Sequence, residues 1–296
     1  MATYTLTDIT NGFVGSAEVY KKKVLQWNIR KLGIQVRTNV NTPQALAKFD
    51  TDNGPQPYRK QDDFNGATIE DRVLTAYQAK YDQELDPEDF RNEYLADLPE
   101  MPFEEYAIDQ GGKKFLDSLM TSTLWLGVRN ASGTAAVDIC DGWGTILAAA
   151  IAASDVTEVA GAAVTSSNAV TQVELVADAV PAWMKESEEG FIVMCSYGTL
   201  EKYRKHYRTL NAFGFNKNEQ GQYKLDGINA VLMPCAFMGT SQRIIATMRN
   251  NFVLGTDTEQ LRTYPTRHLN LLRNRILFPV GCQIKDLAAL QCNDQA

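Results

Sequence analysis

The chain has 296 residues, 44% of them apolar and 22% charged, with a formal net charge of −7. That length supports one large domain or two modest ones around a real core, and the composition excludes a disordered chain. The acidic, well-mixed charge leaves no footprint for tight nucleic-acid binding, and no run reaches the roughly 20 apolar residues that a bilayer span needs.

The opening residues, Met1-Ala2-Thr3-Tyr4-Thr5, carry neither a basic nor an apolar signal region. No signal peptide is therefore expected, and the protein is expected to stay in the cytoplasm where it is made. The first dense feature is a basic cluster, Lys21, Lys22 and Lys23, followed by Arg30 and Lys31. It reads equally as a solvated helix face or as a partner-facing arm. A helix over about 16–31 has a thin apolar face of Val19, Val24 and Trp27. Such a helix does not fold alone and needs a surface to lie on.

Residues 34–40 alternate apolar and polar, and so do residues 73–81. Alternation is strand spacing. The run between them, 50–66, is turn chemistry throughout. It contains Asp52, Gly54, Pro55, Pro57, Tyr58, Arg59, Lys60 and Phe64. The pattern predicts an extended hairpin over 34–83 with a polar tip. At about 3.3 Å per residue, arms of about a dozen residues reach roughly 40 Å. A two-stranded ribbon is marginal alone in water, so this one is expected to rest on a neighbouring molecule. The tip residues, with Lys21, Lys22, Lys23 and Trp27 of the arm, are the candidate assembly interface.

Asp86-Pro87 opens a short helix with an acidic cap and proline in the first turn. Residues 103–123 read as a long helix with Gly111-Gly112 at its middle. Asp141-Gly142-Trp143-Gly144 leads into a short helix ending near Ala153. Val170, Val173, Val176, Ala177 and Val180 mark a further helix face, with Thr171 and Glu174 at capping-box spacing. Phe191 to Cys195 reads as a buried strand, and 198–210 as a helix with Leu200, Tyr203, Tyr207 and Leu210 on one face. Strands are predicted over 228–233 and 243–248, and long strands over 269–284. No internal repeat is present.

Catalytic constellations are sparse. Five cysteines, at 140, 195, 235, 282 and 292, form no CxxC pair and read as reduced core residues. Two histidines, His206 and His268, do not make a zinc site, and no cofactor is expected. No P-loop or dinucleotide fingerprint occurs. Cys195, Ser196 and His206 are the one nucleophile-plus-base set close in sequence, and Ser196 lies outside a G-x-S-x-G elbow. His206 reads as a surface or boundary residue. Replacing all three by alanine is expected to leave the protein's assembly intact.

Three stretches carry a resemblance: Leu225-Asp226-Gly227-Ile228-Asn229-Ala230-Val231-Leu232-Met233-Pro234, then Arg243-Ile244-Ile245-Ala246-Thr247, then residues 250–257. Phe278-Pro279-Val280-Gly281-Cys282-Gln283-Ile284 closes the set, and Trp125-Leu126-Gly127-Val128 with residues 141–145 precedes it. In order and spacing the chain resembles the major capsid protein family of tailed phages, the Hong Kong 97-like fold. The resemblance covers most of the chain and is clearest from about 180 to 290.

It implies an α+β fold with an N-terminal arm (1–33), an extended β-hairpin loop (34–83) and a peripheral domain with a long spine helix (84–130). An axial domain (131–255) and return strands of the peripheral domain (256–296) complete it. It implies a non-enzymatic, virion-located protein assembling with itself into hexamers and pentamers. These would enclose double-stranded DNA without sequence-specific binding or a membrane. Separate scaffold, portal and decoration proteins are the implied partners. Some members crosslink a loop lysine to a neighbour's asparagine; Lys60 with Asn250, Asn251, Asn270 or Asn274 supplies those residue types. An encapsulin-type nanocompartment shell is the alternative, and a cysteine or serine hydrolase a lesser one.

Overall fold

The computed structural model describes residues 31–51, 67–85, 114–115, 117–211, 217, 222–257, 262–268 and 271–295. Among them the strands are β1 (Gln35–Arg37), β2 (Gln44–Thr51), β3 (Ala67–Leu74), β4 (Tyr77–Leu85), β5 (Glu158–Val159), β6 (Phe191–Cys195) and β7 (Tyr223–Lys224). They continue with β8 (Ala230–Pro234), β9 (Ile245–Thr247), β10 (Phe252–Thr256), β11 (Arg262–His268), β12 (Leu271–Ile284) and β13 (Leu290–Asn293). The α-helices are α1 (Trp143–Ala152), α2 (Ala169–Asp178), α3 (Ala182–Lys185) and α4 (Tyr197–Leu210). Helix and sheet are thus mixed, as expected.

Three sheets form. One is five-stranded, in the order β1-β10-β12-β11, with β4 also on β12. Its spine is the long β12: Leu271 to Leu277 pair β11, Leu272 to Val280 pair β4, and Val280 to Ile284 pair β10. The second is six-stranded, β5-β13-β9-β6-β8-β7, and the third is the two-stranded β2-β3 ribbon.

The six-stranded sheet is covered on both faces, which is why β6 reads as an unbroken apolar run rather than an alternating one. Ile192 and Met194 face a core shared with α1 and the five-stranded sheet, while Phe191, Val193 and Cys195 face a second core beneath α2, α3 and α4. The first core is aromatic at its centre. The Trp143 ring lies 5.1 Å from Phe237 and 5.7 Å from Phe252. The second is built mainly of small and β-branched residues: Val170, Val173, Val176 and Ala177 bury one face of α2.

Of the helix expected over 103–123, only its end lies among the described residues. Residues 114, 115, 117 and 118 are helical. The chain then widens into a π-turn over Leu119–Thr123, where the Leu124 N–H reaches back to the Leu119 carbonyl at 3.1 Å. The helix opened by Asp86-Pro87 lies outside the described residues, as does nearly all of the one expected over 16–31.

The hairpin is present, but its arms differ from the 34–83 expectation. β2 and β3 pair antiparallel from Gln44↔Leu74 to Thr51↔Ala67. The alternating run at 34–40 contributes β1, which instead lies parallel to β10, with Val36 opposite Leu254. The run at 73–81 is cut at Thr75-Ala76. Its first part ends β3 and its second begins β4 on β12. Gly281 permits that corner: a Cβ there would lie 2.1 Å from the Thr75 carbonyl oxygen. Only glycine lets the backbone approach so closely.

Candidate functional site

All twelve residues of the candidate assembly interface lie outside the described residues. These are Lys21, Lys22, Lys23 and Trp27 of the arm, and Asp52, Gly54, Pro55, Pro57, Tyr58, Arg59, Lys60 and Phe64 of the hairpin tip. What the structure does place is the root from which that tip projects. Leu46 and Leu74 are fully buried against Val40 and Val253. Arg72 donates from Nη2 to Gln283 Oε1 at 3.2 Å, and Gln283 Nε2 donates to the Val73 carbonyl at 2.8 Å. Lys48 pairs with Asp286 at 3.3 Å. Burial pulls the Arg72 guanidinium below its ordinary pKa, opposed by the Asp155 charge. The root of the hairpin therefore rests on its own chain, which corrects the expectation that the whole ribbon leans on a neighbour.

Of the asparagines that suit a crosslink, Asn251 is committed elsewhere. It is buried, and its Nδ2 donates to Thr247 Oγ1 at 2.9 Å and to the Asp286 carbonyl at 2.8 Å. Asn250 sits at a left-handed turn with φ 62°.

The nucleophile-plus-base set has structural occupations. Burial pushes the Cys195 thiol up to about 12, so the reactive thiolate is suppressed. Ser196 caps α4: its Oγ accepts the Thr199 N–H at 3.3 Å and donates to Thr199 Oγ1 at 3.2 Å. His206 is buried rather than at the surface, and its Nδ1 accepts the Val170 N–H at 3.0 Å. Asn168 precedes α2 without a side-chain cap, and Thr171 lies inside the helix rather than at its cap. The imidazole of α4 thus satisfies one of the orphan donors at the α2 N-terminus, with its own proton on Nε2.

A triple alanine variant at these positions removes a core thiol, a helix cap and this inter-helix bond, so it tests folding before assembly. His206→Ala alone is expected to cost about 1–3 kcal/mol, the penalty of a buried donor left unpaired. His206→Asn places an oxygen where Nδ1 was and should recover more than half of that loss in thermal melts.

Exposed features are more informative. Leu126, Val128, Trp183, Tyr197 and Leu210 are each more than half exposed. Leu210 was expected on the buried face of its helix. The helix, however, runs past the core that Leu200, Tyr203 and Tyr207 fill. A cavity of about 690 Å³ opens beside α1, with Trp125, Leu126, Leu147, Phe237 and Met238 in its lining. Arg243 is in its wall, tied at 2.5 Å to Glu158 Oε1 and also to the Asn293 carbonyl. Neither the cavity nor Trp183 was legible beforehand, because exposure of an apolar residue depends on what fails to cover it. No cluster of three or more His, Cys, Asp or Glu residues placed for a metal occurs among the described residues, and none of their helices is long and apolar enough to cross a membrane.

A chain of the satellite phage P4 procapsid, solved with its size determination protein, superposes with a TM-score of 0.57 and 11% identity, covering 100% of this chain and 92% of its own. The fold is that of phage capsid chains. The capsid of an empty GTA particle agrees, at TM-score 0.54 and 14% identity over 91% of this chain and 89% of the other. The capsid-like fold is also that of a chain in the holo-SrpI encapsulin complex from Synechococcus elongatus, with TM-score 0.51, 11% identity, and coverage of 99% and 91%. No protein-family model matches the sequence, and no curated protein matches it.

Proposed function

We propose that this chain is the major capsid protein of a tailed phage, of the Hong Kong 97-like type. It assembles into hexamers and pentamers that close an icosahedral shell around double-stranded DNA. The carrying observation is the near-full-length agreement with phage capsid chains, at TM-scores up to 0.57. In this reading residues 1–33 are the arm, 84–130 the peripheral domain with its spine helix, 131–255 the axial domain and 256–296 the return strands. The extended loop narrows to the 44–74 hairpin. Lys21, Lys22, Lys23, Trp27 and the tip residues 52–64 grip neighbouring copies. Scaffold, portal and decoration proteins join from separate chains, and the role is structural, without cofactor or membrane. The acidic balance suits enclosure of DNA without tight phosphate neutralisation.

The likeness to an encapsulin chain supports a second reading, a nanocompartment shell with protein cargo. Negative-stain images of the purified protein, with analysis of particle contents, test both. Large shells holding DNA are the expected result. Small shells holding an enzyme favour the second reading, and protein that forms no particles rejects both.

A further inference from the structure

Trp183 leaves 53% of its surface in water, although Met184 beside it is fully buried. It stands on the four-residue α3, between Pro181 and an acidic run of Glu186, Glu188 and Glu189. The loop after α3 meets the six-stranded sheet at the starts of β6 and β8: Asn229 donates to the Ser187 and Glu188 carbonyls, and the Phe191 N–H bonds the Asn229 carbonyl. The Trp125–Phe237 cavity lies at the other end of the same strands. Phe237, Met238 and Arg243 follow where parallel β6 and β8 finish, at Cys195↔Pro234. An aromatic knob and an apolar hole therefore occupy opposite ends of one sheet.

We propose that the two are halves of one contact: Trp183 of one copy enters the Trp125–Phe237 cavity of the next. This rests on the shell reading and names a contact that would build its rings. A knob and a hole at different places on one chain can meet reciprocally across a two-fold axis or head to tail, and the shell reading calls for the second. Head-to-tail contacts close into rings when the rotation permits. The charges agree in sign. The lining holds one cation, Arg243, and no carboxylate, while beside the knob three carboxylates, Glu186, Glu188 and Glu189, outnumber one cation, Lys185. Because Arg243 already pairs with Glu158, the charges orient the approach, and burial of the indole supplies the affinity.

The test uses the full chain. Ala148 is exposed on α1 and lines the cavity. The five native cysteines are all buried, so they serve as silent controls. A double variant, Trp183→Cys with Ala148→Cys, oxidised by air with a copper catalyst, should give a ladder of covalent oligomers on a non-reducing gel. Each single variant should give no ladder, and a mixture of the two singles should stop at dimers. Independently, Trp183→Ala should raise the concentration for half-maximal assembly about tenfold or more, as loss of a central aromatic anchor does. Ala148→Trp, which fills the mouth from the other side, should do the same. Normal particles without a ladder, assembled at unchanged concentration by Trp183→Ala, would overturn the contact and leave the shell reading standing. Wild-type protein that neither forms particles nor sediments as oligomers overturns the shell reading and the contact with it.

Discussion

Deletion of residues 52–66 is expected to leave a soluble, folded monomer that no longer closes shells. The root of the hairpin is anchored on the rest of the chain. Leu46 and Leu74 are sealed against Val40 and Val253, and Arg72, Gln283, Lys48 and Asp286 bind the same region to β12 and the turn after it. None of these contacts needs the tip. The deleted segment holds four glycine or proline positions, Gly54, Pro55, Pro57 and Gly66, among mostly polar neighbours, so it has little apolar surface to contribute to a core. With the segment removed, the last residues of β2 and the first of β3 form the turn, while the inner pairs from Gln44↔Leu74 to Phe49↔Ile69 stay in register, and so short a loop costs little entropy to close. Circular dichroism should therefore match the wild type, while sedimentation should show loss of fast-moving particles. If the variant unfolds, the tip belongs to the monomer's own stability. If it assembles normally, the tip plays no part in gripping neighbours, and the assembly role given to Asp52 through Phe64 is wrong.

Local chemistry was legible where a residue's neighbours in sequence are also its neighbours in space. Phe191 to Cys195 is a strand because five apolar residues stand between Gly190, at φ 63°, and a Ser196 cap. The turn-rich 50–66 run marked a hairpin because glycine, proline and asparagine act within a few residues. Pairing is different in kind. The alternation of 34–40 is satisfied equally by a hairpin arm or by an edge strand, and nothing local chooses β10, more than two hundred residues away. His206 shows the same limit at a side chain. Lys205 and Arg208 beside it are exposed, so the helix pattern suggests a boundary, but α2 crosses above and turns the imidazole into its cap. The candidate interface was read from composition alone, whereas the Trp183 knob and its cavity depend on the relation between two ends of a sheet.

Trp143→Ala is expected to cost the monomer about 3–5 kcal/mol, the range for emptying a large aromatic site in a packed core. Against a typical total of about 5–15 kcal/mol, that is a large share of the whole. Trp143 is fully buried at the start of α1 and lies between Phe237, which follows β8, and Phe252 of β10. It therefore joins the helix to both large sheets. Its Nε1–H is shared between the Val253 carbonyl at 3.3 Å and the Gln283 carbonyl at 3.2 Å, on neighbouring strands β10 and β12. Alanine removes the ring and the donor together. Phenylalanine keeps most of the ring and removes only the donor, so Trp143→Phe should lose about 1–2 kcal/mol, near the net worth of one hydrogen bond plus a small void. Urea denaturation of both variants, followed by far-ultraviolet circular dichroism, separates the contributions. Equal losses in the two variants would place the energy in the hydrogen bond. A wild-type midpoint for Trp143→Ala would mean that this junction does not hold α1 to the sheets, and the aromatic core would lose its assigned role.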